Sequence, residues 1–261
     1  MTTNGGFSYS SILDLLAIPL LCATVANADI ASGIVGYQQV ALPANGQYAL
    51  LTPTFKDVGG ATTIDLTDIK VVKPGADSFT SKKKVRVQKM NLTTGGLTTI
   101  YQYTTAGNIW TDPNGTVVEG QVTFAAGEAM CVYNGDTAGA ALAFQFSGSV
   151  ELNPVSLDVP SGNYTLVGNF TPVAVDLTAV VPKGAGGSDL GVSKKKIRVQ
   201  KIIPSTGGMG DIYQYTTAGN VWTSQSGNVA VGDVVFEAGE AMCVYNGDNK
   251  AITLTFPDPT K

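Results

Sequence analysis

The chain has 261 residues, of which 44% are apolar and only 14% charged, with a net charge of −4. It contains no histidine, so a Ser-His-Asp triad, a Cys-His dyad and every imidazole-built zinc site are excluded. A sparse, acidic charge set also lacks the basic footprint of a nucleic-acid binder, and the length suits two compact domains.

The first 28 residues carry an apolar core from Ile12 to Val25, interrupted by Asp14 and Pro19, and end in Ala26-Asn27-Ala28. The A-x-A ending reads as a secretory signal cut before Asp29, although no Lys or Arg precedes the core. Two other readings stand beside it: a buried helix or strand of the first domain, and a retained apolar helix packing between subunits. The segment falls short of the roughly 20 residues a spanning helix needs, so no stable transmembrane span is expected.

Beyond it the chain repeats itself. The block SKKKVRVQKMNLTTGGLTTIYQYTTAGNIW…GEAMCVYNGD, Ser81 to Asp136, returns as SKKKIRVQKIIPSTGGMGDIYQYTTAGNVW…GEAMCVYNGD, Ser193 to Asp248, at a constant offset. Roughly two-thirds of the aligned positions are identical, the mark of one module used twice. We expect domains over 29–148 and 149–261, joined by a short linker near Gly148–Asn153.

Each module opens with two apolar runs around a turn, Ile34–Phe55 with Ala44-Asn45-Gly46 and Val155–Phe170 with Ser161-Gly162-Asn163, which predicts a hairpin. A short Asp-Leu-Thr element follows, at Asp65 and at Asp176. In KKKVRVQK, Val85 and Val87 alternate with Lys84, Arg86 and Gln88, a strand with one wet face. Tyr101 and Tyr103 share a face of the next strand, and Ala106-Gly107-Asn108 turns into Ile109-Trp110. Val122 and Phe124 alternate, Ala126-Gly127-Glu128 turns into Ala129–Tyr133, and alternating strands at Leu142–Phe146 and Ile252–Phe256 close the two units. About eight short strands per module with turns between them, and no helical stripe beyond the N-terminus, predict an all-β chain: two tandem, similar, jelly-roll-like β-sandwich domains.

Three groups are candidates for function. Lys82, Lys83, Lys84, Arg86 and Lys89, with Lys194, Lys195, Lys196, Arg198 and Lys201, hold ten of the sixteen Lys and Arg. They form either a basic strand that meets an anionic partner or lysines guarding a sheet edge. Tyr101, Tyr103 and Trp110, with Tyr213, Tyr215 and Trp222, form either a stacking platform for sugars or core. Glu128 and Asp136, like Glu240 and Asp248, flank a strand of about 20 Å, too far apart for a glycosidase pair. Lys84 or Lys89 with Asn134 and Glu128 are the residue types of an internal isopeptide bond. No oxygen-rich calcium run exists, and neither metal nor cofactor is expected. Cys131 and Cys243 occupy the same place in the two copies, as small buried residues or as halves of a bridge; Cys22 lies in the apolar leader.

The stretches IVGYQQVALPANGQYALLTPTF, GDVVFEAGEAMCVYN and ALAFQFSGSV resemble secreted tandem β-rich proteins of planctomycete, verrucomicrobial and lentisphaeral bacteria. A "GY…LPAG" start and a "GEGF…N" strand recur in those, and here Gly-Glu-Ala-Met-Cys departs from the usual aromatic pair. The resemblance spans most of residues 29–256 and implies an extracellular or cell-surface location and a β fold, with no catalytic motif. The expectation is therefore a non-catalytic exported structural or adhesive protein, a homo-oligomer or lattice, with a pair of polysaccharide-binding modules as the alternative.

Overall fold

Alternation of apolar and polar residues sets the first element of each module on a sheet, and the chain then builds ten strands per module among the described residues. The computed structural model describes residues 35–43, 45–56, 63–72, 82–104, 108–136, 141–151, 153–184, 188, 190, 194–203, 206, 208–216 and 219–258. The leader with Cys22, and the side chains of Lys82, Lys83, Lys84, Lys194, Lys195 and Lys196, lie outside that set. In the first module the strands are β1 (Val35–Ala41), β2 (Gln47–Leu51), β3 (Thr63–Asp65), β4 (Lys70–Val72), β5 (Lys82–Lys89), β6 (Tyr101–Thr104), β7 (Ile109–Thr111), β8 (Thr123–Ala125), β9 (Met130–Asn134) and β10 (Ala143–Ser149). In the second they are β11 (Val155–Val159), β12 (Tyr164–Gly168), β13 (Val175–Asp176), β14 (Val181–Gly184), β15 (Lys194–Gln200), β16 (Tyr213–Thr216), β17 (Val221–Ser224), β18 (Val235–Phe236), β19 (Ala241–Asn246) and β20 (Ile252–Phe256).

The two modules share one topology. A sheet in the order β2-β9-β5-β6-β7 faces a sheet β1-β10-β4, and β3 pairs with β8; the second module repeats this as β12-β19-β15-β16-β17, β11-β20-β14 and β13-β18. Every named strand pair is antiparallel. The result is all-β, two similar sandwiches with jelly-roll strand order, as the sequence implied. The Asp-Leu-Thr elements are single 3-10 turns in which the Asp65 and Asp176 carboxylates accept from the Thr67 and Thr178 amides, an Asx cap. No helix among the described residues is long and apolar enough to cross a membrane.

The opening hairpin does not form. β1 pairs with β10 and β2 with β9, so the first two runs belong to opposite sheets and the turn between them is a corner. A buried asparagine holds it: Asn134 donates Nδ2 to Pro43 O at 2.8 Å, and its backbone carbonyl accepts from Gly46 N at 2.7 Å. Asn246 repeats the arrangement on Val159 O and Gly162 N. A turn between two apolar runs looks alike in sequence whether the runs pair or part.

Each module encloses its own aromatic core. Tyr103 and Trp110 meet edge to face at 5.1 Å, and Trp110 meets Phe144 at 6.0 Å; Tyr215 and Trp222 stand 5.2 Å apart. The buried indole N–H groups donate to Ile69 O and Val180 O, each at 2.8 Å, so the polar edge of each ring is satisfied inside the fold.

Residues Gly33–Lys261 form one compact unit, because the modules interlock. Thr52 N donates to Gly239 O at 2.9 Å, and Gly168 N donates to Gly127 O at 2.9 Å. Thr52, just after β2, and Gly168, the last residue of β12, are the same position of the repeat, as are Gly127 and Gly239, so the contact is reciprocal. Isolated bridges Leu51–Glu240 and Val167–Glu128 repeat that exchange. Leu50, Ala129, Cys131, Leu166 and Ala241 form a small apolar cluster, with Met90, Ile202 and Cys243 packed on it. This is the self-complementary contact of a twofold dimer, here within one chain.

Candidate functional site

Strand parity decides which candidates reach solvent. On β6 and β7 the inward positions are Tyr103 and Trp110, 1% and 0% exposed, with Tyr215 and Trp222 equally enclosed at 4% and 1%. Tyr101 and Tyr213 are half-buried and pack on the two cores. The enclosed Tyr103, Trp110, Tyr215 and Trp222 leave no row of six exposed rings for a sugar, and the indole hydrogen bonds claim the two Trp for the core.

The basic strands divide in the same manner. β5 lies between β9 and β6, and β15 between β19 and β16, so neither is an edge that lysines would guard. Lys89 shares the inward parity of Val85 and Val87. Its ammonium lies 4.9 Å above the Phe124 ring and 2.8 Å from the Glu128 carboxylate. Lys201 repeats this on Phe236 at 5.0 Å and Glu240 at 2.6 Å. These two lysines are structural ties and are withdrawn from the interaction strand. The isopeptide set is not assembled around Lys89 either: its register partner is Met130, at the far end of β9 from Asn134.

Among the described side chains of the two basic strands, the exposed cations are Arg86 and Arg198, and they stand in a row that the sequence did not announce. Across the outer face of the larger sheet, Tyr48 is opposite Tyr133, Tyr133 opposite Arg86, and Arg86 opposite Gln102. The second module gives Tyr164, Tyr245, Arg198 and Gln214. The tyrosine rings pack at 4.9 Å in both rows, and each guanidinium lies over the inner ring, at 5.7 Å for Arg86 and 6.0 Å for Arg198. Tyr48 and Tyr164 remain 44% and 47% exposed. Tyr48, Tyr133, Arg86, Gln88 and Ile100 line a shallow depression. Sequence parity along β9 puts Tyr133 on the outer face, but only the pairing of remote strands brings Tyr48 and Arg86 beside it.

A cleft of about 360 Å³ runs between the modules, walled by Val40, Leu50, Leu51 and Ile202 and edged by Lys201, Glu237 and Glu240. The Glu240 carboxylate is engaged by Lys201 and by the Glu237 amide at 3.0 Å. The first module carries the same pair, Lys89–Glu128, with Ala125 where the second has Glu237. The pair thus follows the turn geometry common to both copies. Asp211 and Asp233 flank Tyr213, whose hydroxyl pKa is raised by burial and by their negative charge. No group of three or more metal-ligating side chains occurs among the described residues.

Cys131 and Cys243 are free thiols in the cluster between the modules. Burial pushes both from 9.0 up to about 11, and Cys243 is raised further by the charge of Cys131. Comparison of the chain with models of known protein families, with curated proteins and with solved structures found no match.

Proposed function

We propose that the chain is a non-catalytic, exported structural or adhesive component of a bacterial surface, which associates with further copies of itself into a lattice or fibre. The observation that carries this reading is the reciprocal locking of two copies of one sandwich, Thr52 to Gly239 and Gly168 to Gly127, into a single compact unit. Duplicated β modules joined rigidly make a building block with fixed geometry, and a surface poor in charge opposes self-association weakly. The secretory leader read from residues 1–28 supports export. Tandem jelly rolls serve many roles, so the fold supports the reading without dictating it.

Negative-stain microscopy of the purified protein at rising concentration tests the assembly. Ordered sheets or fibres are expected; dispersed monomers at every concentration would remove the assembly from the proposal.

A further inference from the structure

The two outer rows offer a more specific role, which rests on the adhesive reading. We infer that Tyr48, Tyr133 and Arg86, with Tyr164, Tyr245 and Arg198, are two equivalent subsites for an acidic, uronate-bearing polysaccharide. Three observations meet here. First, each row presents an outer tyrosine about half exposed, at a sheet position where the core requires no ring. The strands that supply these tyrosines, β2 and β12, lie outside the near-identical block, and their sequences QYALL and YTLVG differ around them. Second, each row carries an exposed arginine whose guanidinium lies over the inner ring, in a chain whose net charge is −4. A planar cation beside aromatic faces suits a sugar whose C–H face stacks on tyrosine while its carboxylate takes the bidentate guanidinium. Third, the module interface touches the second row directly. Asn163, next to Tyr164, donates Nδ2 to Leu92 O and Thr93 O of the first module at 3.3 and 3.1 Å. Both rows therefore belong to one compact unit, and a long polymer that reaches both gains avidity.

The competing explanation is that Tyr-Tyr-Arg ladders only stabilise the sheet across its strands. The test separates the two. The full chain is run on native gels containing polygalacturonate, or dextran as the neutral control. Wild-type protein is expected to be retarded by polygalacturonate and not by dextran. Tyr48→Ala with Tyr164→Ala, and separately Arg86→Met with Arg198→Met, should each weaken retardation by about tenfold or more. Tyr48→Phe with Tyr164→Phe keeps the rings and should still be retarded, which separates loss of stacking from loss of fold. No retardation of the wild type, equal retardation by dextran, or unchanged retardation of the Ala and Met variants each overturns the inference. Because microscopy reads assembly without any glycan, absence of retardation from a protein that still forms arrays sinks the subsites alone.

Discussion

Gly168 lies directly against Thr52: a Cβ on Gly168 would stand 2.3 Å from the Thr52 Cβ. The two are the same position of the repeat, brought face to face by the internal twofold. A position that meets its own copy across such an axis has room for one side chain. The chain places threonine on one side, fully buried with its hydroxyl on Glu128 O at 2.8 Å, and glycine on the other. Duplication followed by divergence at the axis explains the asymmetry.

Gly168→Thr should therefore destabilise the protein by about 1–3 kcal/mol, the usual penalty of overpacking a filled contact. Thr52→Gly combined with Gly168→Thr moves the side chain across the axis and should recover much of that loss. Urea unfolding of the wild type, both single variants and the double variant yields the coupling. Additive effects would mean the two positions do not share one space.

The cysteines give a pH signature. Both thiols sit at about 11 in the folded chain against 9.0 when ordinary, because burial disfavours the thiolate. A raised folded pKa means the unfolded chain loses these protons first as pH climbs. The stabilisation is complete below pH 9 and is lost as pH rises toward about 11. Thermal midpoints should fall across that window, and Cys131→Ala with Cys243→Ala should flatten the fall. An identical fall in the double variant would assign it to other groups. At pH 8 alkylation of both thiols should be slow until denaturant is added.

Much of this architecture was legible because β parity is a short-range property. Val85 and Val87, Ile252 and Leu254, and the capped Asp-Leu-Thr turns follow from neighbours along the chain. The parity that buries Val85 and Val87 also takes Lys89 inward, and it sets Lys89 apart from Arg86 along the same strand. The corner at Asn45-Gly46 was not legible, since a turn between apolar runs does not say which strands pair. Nor was the Tyr48–Tyr133–Arg86 row, which needs the pairing of three strands far apart in sequence. The buried fate of Trp110 turned on an acceptor, Ile69 O, at the end of the 3-10 turn that precedes β4.

That fate is measurable. With Trp110 and Trp222 both enclosed and hydrogen-bonded, intrinsic emission should be blue-shifted and resist quenching by acrylamide until the chain unfolds. Trp222→Phe removes the donor to Val180 O and should cost about 1–3 kcal/mol, by leaving a buried carbonyl short of its partner. Red-shifted emission quenched freely in the native protein would contradict the enclosed rings.

The proposed surface role has one direct test. Immunogold electron microscopy of intact, unpermeabilised source cells, with antibody raised against residues 29–261, should decorate the cell exterior or the material it sheds. Labelling that appears only after the cells are sectioned, and then only inside them, would contradict an exported structural protein.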